Sequence, residues 1–393
     1  MQVPQHVPPH LVRDFNFYDM REETDVYAHF RKLHDGPDIF YTPQLGGHWV
    51  VTRYRDIEAI FQNAKDFSSE VQSIPRNPVV IPLLEFDGNI HADFRRLLVP
   101  FFSPKNIGGL EQVSRDLTVS LIEGFRQRGE CEFVAEFTLK MPIMIIMSLL
   151  ALPAEDTPYL LKISEDIVRS GDPAVQEAAF GRVFEYVATK VIPARRANLG
   201  DDIFSAVIKG SVEDGRPVTD EELMGLGSLL VAAGLDTVAG MLGFVTMFLA
   251  RSPQHRQQLI DDPGLINDAL EEMMRRHHIA NVARVAANDV EFNGVTIKAG
   301  DCVLLPTSCA GIDDQRYPDA MTVDFRRGDK KTLVFGRGAH QCIGSLLART
   351  ELRVFLQEWT RRIGHFEIKH GEEPRVVAGK ANSVRYLPLT WSV

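Results

Sequence analysis

Phe335-Gly336-Arg337-Gly338-Ala339-His340-Gln341-Cys342-Ile343-Gly344 is the stretch on which the reading of this chain turns. Three glycines in nine residues allow tight turns and bring backbone N–H groups close to the Cys342 sulfur. A helix is expected from about Ile343, and its N-terminal end favours thiolate over thiol. A thiolate held in this way suits an iron ligand. The plain alternative is a glycine-rich loop ahead of a helix, with a buried, inert cysteine. Phe335, the glycines, His340 and Cys342 standing together in one pattern favour the ligand.

Around this loop the composition is that of an ordinary globular chain. It has 393 residues, 45% of them hydrophobic and 24% charged, ample for a sizeable core. No linker, low-complexity stretch or repeat interrupts it, so one domain over 1–393 is expected. A formal net charge of -10, with no Lys/Arg-rich run, argues against a nucleic-acid partner. Cys131, Cys302, Cys309 and Cys342 form no CxxC pair and read neither as a zinc site nor as a disulfide framework; a cytoplasmic protein is expected. Met1–Phe17 lacks the apolar core of a signal peptide. Met141–Pro153 is too short to cross a bilayer. Leu223–Ala250 is long enough, but it carries Asp236 at its centre and follows Asp220-Glu221-Glu222 rather than a basic anchor. A buried core helix, and no membrane partner, is the expectation.

The secondary-structure signals are mixed in the first third. Ile39–Tyr41 and His48–Arg53 flank Pro43 and Gly46-Gly47 as a hairpin. Asp56–Asn63 reads as a short helix, and Ser73–Pro82, with Pro75, Pro78 and Pro82, as an irregular loop. Spacing from Ile107 to Ile208 is helical, broken at Pro153, Pro173 and Pro193. Thr219-Asp220-Glu221-Glu222 is a capping box. It opens one helix running to Arg251, about 33 residues or roughly 50 Å, with Ser252-Pro253 capping the next. Beyond Asn288 the pattern turns to strands, with a hairpin at Asn293-Gly294, a strand at Val303–Leu305, and a few short strands between Phe366 and Trp391. The fold class is mainly α with a minor β subdomain.

Inside the long helix, Asp236 and Thr237 stand in apolar surroundings. A buried carboxylate is costly unless it has a partner or a task. The Thr237 hydroxyl can bond back to a carbonyl and locally open the helix, and Gly234 lets backbone approach a ligand. The bland reading is an Asp satisfied by one Arg or Lys. Glu272-Met273-Met274-Arg275 places an acid and a base on one helix side, which alone is more often a solvated pair.

The Cys342 loop resembles the cysteine-ligand loop of the cytochromes P450, Phe-Gly-x-Gly-x-(Arg/His)-x-Cys-x-Gly. Glu272 to Arg275 resembles that family's Glu-x-x-Arg, and Arg327, 15 residues before Cys342, fits the third member of its ion network. Ala233-Gly234-Leu235-Asp236-Thr237 resembles its oxygen-binding groove. The likeness covers nearly the whole chain. It is nearest to the bacterial camphor monooxygenase group at Val3-Pro4, Leu11-Val12-Arg13-Asp14-Phe15, Gly234–Val238 and Phe248–Pro253. The chain departs from that group in having no tyrosine between Tyr54 and Tyr159, where the camphor enzyme holds its ketone, and Val282 in place of an aspartate.

The resemblance implies the P450 fold and a haem b whose iron is held by Cys342. It implies cofactor contacts from Ala233, Gly234, Phe335, Gly336 and Gly344, with the propionates met by His91, Arg95, Arg284 and His340. Glu272, Arg275 and Arg327 become a structural lock, and Asp236 and Thr237 a proton relay. Leu229, Ala232, Ala233, Ile279 and Val282 are expected to line a dry pocket for a small apolar substrate. The implied reaction inserts one atom of O2 into an unactivated C–H bond of a terpenoid. A monomer would draw its electrons from a [2Fe–2S] ferredoxin fed by a separate NAD(P)H reductase, since no flavin or nicotinamide fingerprint is present. Arg95, Arg96, Lys330, Lys331 and Arg337 are expected to form the basic patch for that acidic partner. Two rival classes are a peroxide-driven peroxygenase, which would more naturally lack the acid–alcohol pair, and a non-catalytic haem ligand-binding or gas-sensing protein.

Overall fold

The computed structural model describes residues 3–19, 25–77, 80–170 and 173–393. Met1, and Pro78 and Val79 of the expected loop, lie outside them. Two compact units emerge, each built from separated segments. One comprises Met1–Ala92, Glu271–Cys342 and Val376–Asn382; the other comprises Asp93–Leu270, Ile343–Arg375 and Ser383–Val393.

The first unit is organised by a five-stranded sheet, in the order Ile39–Thr42, His48–Val51, Cys302–Pro306, Asn281–Ala286, Phe67–Ser68. The expected hairpin forms, with Ile39 opposite Val51. Cys302–Pro306 then runs parallel to His48–Val51 and antiparallel to Asn281–Ala286, pairing Val303 with Trp49 and Leu304 with Ala283. These strands are β-branched and aromatic, and nearly all their residues are buried. Trp49, Tyr54, Ile57, Phe67, Val303, Tyr317 and Leu333 make the core beneath them. The helix expected at Asp56–Asn63 spans Tyr54–Gln62, and the Asn293-Gly294 hairpin joins Val290–Phe292 to Val295–Ile297.

The second unit is helical. Pro104–Arg126 and Ser345–Arg362 pack together and are tied by Arg353–Glu111 at 2.9 Å and by Arg115–Glu358. Phe133, Phe137, Phe355 and Trp359 fill an aromatic core, with Phe133 and Phe137 stacked at 5.2 Å. Offset aromatic pairs add about 0.5–1.5 kcal/mol beyond the area they bury. A small sheet, Glu367–Ile368, Pro388–Thr390 and Glu130–Glu132, supplies the minor β part.

The capping box forms in full: Glu222 N donates to Thr219 Oγ1 at 3.2 Å, and Thr219 N to Glu222 Oε2 at 2.8 Å. The single long helix does not form. Asp220–Ala233 ends, and Thr237–Arg251 begins, across Gly234–Asp236. Two other expectations shift. Ser252 sits ahead of Pro253–Asp261 without a side-chain cap bond, and the helix after Cys342 begins at Ser345 rather than Ile343. Asp220–Arg251 taken together is long and apolar enough to cross a membrane, yet two-thirds of its most apolar stretch is buried in the protein.

Candidate active site

In the first unit the Cys342 loop is shaped by its backbone. Cys342 N donates to Phe335 O at 2.9 Å and Gly336 N to Leu333 O at 2.9 Å. Gly338 has a φ of +73°, and a Cβ there would fall 2.5 Å from the Phe61 carbonyl oxygen, so a side chain is excluded. Cys342 is the exposed cysteine; Cys131 and Cys309 are buried, and burial raises their thiol pKa.

Beside this loop lies a group of nitrogen bases. The rings of His91 and His340 stack at 3.9 Å. His340 Nε2 meets Asp87 Oδ1 at 2.9 Å, and Asp87 also accepts from Ser68 Oγ and Ser69 N. Burial alone would raise the Asp87 pKa, but these bonds, led by that of His340, bring it down to about 2. Arg284 is 5% exposed, lies over the Phe61 ring, and donates to Ala283 O at 2.7 Å. Among the described residues no carboxylate forms an ion pair with it, and desolvation lowers its pKa to about 10. Ile279 is buried and Val282 half-buried at the start of the same strand region.

Glu272, Arg275 and Arg327 come together as expected, Glu272 and Arg275 in full burial and Arg327 half-buried beside them. Arg275 meets Glu272 through two bonds of 3.0 and 2.8 Å, and Arg327 Nε reaches Glu272 Oε1 at 3.0 Å. The remaining Arg275 donors go to the carbonyls of Gly311, Ala320 and Thr322, and its guanidinium lies over Tyr317. Glu272→Ala is therefore expected to destabilise the protein by about 3–5 kcal/mol, because it strands a buried guanidinium. An unfolding midpoint in urea equal to that of the unaltered protein would contradict this.

In the second unit, Leu229, Ala232, Ala233, Asp236 and Thr237 stand at spacings of three and four along a largely buried segment. Leu229, Ala232 and Asp236 are half-buried, and Ala233 and Thr237 exposed. Thr237 Oγ1 donates to Ala233 O at 2.9 Å, the back-bond anticipated for an opened helix. Gly234 permits close packing, since a Cβ would lie 2.7 Å from Ile146. Among the described residues no Arg or Lys pairs with Asp236, and its carboxyl is met instead by the backbone N–H groups of Asp236 and Thr237. Desolvation raises the Asp236 pKa to about 6, against the opposing pull of nearby backbone N–H groups. Ser164 was not foreseen: it is fully buried and donates to Leu235 O at 3.1 Å, partnering a carbonyl within the break. Its only sequence signal is a polar residue at a core position of Thr157–Arg169. Gly344 immediately precedes Ser345–Arg362, and Arg95 is half-buried on Gly88–Leu98.

The family model described as cytochrome P450 matches residues 175–384. A probable cytochrome P450 127A1 from Sinorhizobium fredii is 33% identical over 405 residues, covering 99% of this chain and 97% of that protein. The chain belongs to the cytochrome P450 family. The crystal structure of CYP101J2 superposes on this P450 with a TM-score of 0.89 at 36% identity, and that of CYP101C1 with 0.89 at 32%, each covering 100% of both chains. The P450 is thus a haem-thiolate monooxygenase whose cofactor is haem held through a cysteine sulfur. Its residues fit that group: the first unit offers an accessible cysteine and, in Arg284, a buried cation that among the described residues makes no direct ion pair, with Asp87 acting on it only at longer range.

Parts of the expected basic patch are balanced locally. Arg96 pairs with Asp93 at 2.8 Å, and Arg337 lies 3.5 Å from Glu58.

Proposed function

We propose that this P450 hydroxylates an unactivated C–H bond of a compact, largely apolar terpenoid, a monoterpenoid or norisoprenoid, with O2 and two electrons from a ferredoxin. The observation that carries the reading is the accessible face of the second unit, where Leu229, Ala232 and Ala233 lead directly into Asp236 and Thr237. An apolar surface running into an acid–alcohol pair suits a substrate without charge and a reaction that consumes protons.

The roles follow from the residues. Cys342 would hold the haem iron through its thiolate sulfur, which would lend the bound group electron density. His91, Arg95, Arg284 and His340 would meet the haem propionates, and Phe335, Gly336, Gly344, Ala233 and Gly234 would give close backbone and ring contacts to the haem. When bound, haem supplies the oxygen activation and C–H oxidation. With its pKa raised to about 6, Asp236 is mostly ionised at neutral pH but takes up and releases a proton readily there, and Thr237 would hold its hydroxyl beside it in the relay. Ile279 and Val282 supply a further apolar wall, and Glu272, Arg275 and Arg327 hold the fold of their unit. The protein is proposed to act as one monomeric domain in the cytoplasm.

The test is the low-to-high-spin shift of the ferric protein on titration with small terpenoids. Ala232→Phe is expected to abolish it. A shift given only by fatty acids or charged aromatic acids would overturn the substrate class. Turnover supported by O2 and a reductase, but not matched by peroxide alone, separates this reading from a peroxygenase and from a ligand sensor.

Electron supply gives a further expectation. Arg95, Arg96, Lys330, Lys331 and Arg337 are proposed to steer an acidic [2Fe–2S] ferredoxin, itself reduced by a separate NAD(P)H reductase. Because Arg96 and Arg337 already have acidic neighbours, the steering should be moderate. Donor-driven reduction should still slow as salt rises and the Debye length falls from about 10 Å at 0.1 M. Stopped-flow reduction that is independent of ionic strength would exclude electrostatic docking.

A further inference from the structure

The turn 379–382 of the first unit is bonded to the segment that carries Ile279 and leads into Val282. Asn382 N donates to Ile279 O at 2.7 Å, and Asn281 N to Lys380 O at 2.9 Å. The Asn281 amide reaches Gly379 O at 2.7 Å, and the Asn382 amide reaches Ser308 Oγ at 2.8 Å. Asn281 is 3% exposed and Asn382 0%. The turn is therefore fixed relative to Ile279. One side chain in it stays accessible: Lys380.

Lys380 Nζ donates to Asn77 Oδ1 at 3.1 Å, in the loop that follows Ser73. Among the described residues of that loop, Ser73, Asn77 and Glu85 are engaged with one another, while Arg76 meets Cys302. Ser73 Oγ bonds Asn77 Oδ1 and Pro75 O, each at 2.9 Å, and Asn77 Nδ2 donates to Glu85 Oε1 at 2.8 Å. Glu85 Oε2 accepts from Ile81 N at 2.9 Å. Lys380 forms no ion pair among the described residues. An ammonium has three donors, and Asn77 takes one. Although the side chain is accessible, nearby protein crowds water from the ammonium and lowers its pKa, with Glu85 opposing.

We infer that Lys380 is a specificity-determining residue, donating a hydrogen bond from its ammonium to a neutral carbonyl oxygen of the substrate. The inference rests on the substrate site proposed above at Ile279 and Val282, and it narrows the substrate to an oxygenated terpenoid, a ketone. A ketone is favoured over a carboxylate because Glu85 acts on the same ammonium and would repel a second anion. Discrimination then rests on a hydrogen bond as well as on shape. A site built around a donor rejects an analogue lacking the acceptor far better than an apolar wall rejects one misfit methylene.

The experiment is a spin-state titration of the ferric holoenzyme with camphor, fenchone and β-ionone, each beside the hydrocarbon of the same skeleton, and with bornane-2-carboxylate as the anionic probe. The unaltered enzyme should bind ketones about 10- to 100-fold more tightly than the hydrocarbons, the range of a charge-assisted hydrogen bond. Lys380→Met should collapse that ratio while leaving hydrocarbon affinity in place, and Lys380→Arg should keep part of it. Lys380→Gln, which retains a donor without the charge, reads the same ratio should the Met variant fail to hold haem. An unchanged ratio in Lys380→Met overturns the role of Lys380 and leaves the terpenoid reading standing. A Lys380-dependent gain seen only with the carboxylate overturns the neutral carbonyl. No spin response of the unaltered enzyme to any terpenoid overturns the substrate reading itself, and this assignment with it.

Discussion

Replacing Cys342 with histidine is expected to abolish the red-shifted carbonyl band of the reduced holoprotein, and monooxygenase turnover with it. The chain has four cysteines, and their surroundings separate them. Cys131 and Cys309 are buried, and loss of hydration raises both thiols, so neither yields a thiolate near neutral pH. Cys302 is half-buried, and burial raises it as well, with Arg76 opposing. Cys342 is exposed at the end of a loop closed by its own N–H bond to Phe335 O. An imidazole in its place can still hold iron, but without the electron density that a thiolate supplies. The spectrum of reduced protein under carbon monoxide is the direct readout. Cys131→Ser, Cys302→Ser and Cys309→Ser should each keep the band. Its survival in Cys342→His, or its loss in one of the other three, would reassign the ligand.

What could be read in the sequence follows from the range of the interactions. The capping box at Thr219–Glu222 and the Asn293-Gly294 turn are local: the residues that signal them are the residues that bond. Glu272 and Arg275 are also neighbours on one helix, so their pairing was legible, whereas its depth of burial and the five carbonyls around Arg275 and Arg327 were not. Arg327 was placed only by resemblance. The break at Gly234–Asp236 was the reverse case. Apart from Asp236 the residues from Leu223 to Ala250 fit an apolar helix; the Thr237 back-bond to Ala233 O is local, but the Leu235 carbonyl is met by a side chain from another helix, Ser164. His340 illustrates the same limit. Its partner Asp87 stands 253 positions away, and Lys380 meets Asn77 across 303. Such pairs leave no spacing for a single sequence to reveal. The alternation of buried and accessible residues from Leu229 to Thr237 was hidden for a chemical reason, because leucine and alanine look alike whether they face core or ligand.

That same face carries the second large effect. Asp236→Asn is expected to slow oxygen activation by about 10²–10⁴-fold, the usual contribution of general acid–base help. Thr237→Ala should keep terpenoid binding and electron uptake but release the electrons as free hydrogen peroxide. The two differ because their chemistry differs. With its pKa raised to about 6, the Asp236 carboxyl exchanges protons readily near neutral pH. Thr237 holds a hydroxyl whose own proton goes to Ala233 O, leaving its lone pairs to accept. The pH dependence of stability checks the assignment separately from catalysis. An unfolded aspartate titrates near 3.9, so folding raises this pKa and the native state binds the proton more tightly. Below about pH 3.9 both states are protonated and the residue costs nothing. As pH rises toward 6 the cost of holding a desolvated carboxylate appears, and above 6 it is constant at about 1–3 kcal/mol. Asp236→Asn should therefore unfold later than the unaltered protein at pH 8 and alike at pH 3.5, while turning over far more slowly. A variant that is both slow and less stable at pH 8 would make Asp236 a structural group. Unchanged rate and coupling in both variants would remove the relay, and with it the reason for an unpaired acid in this helix.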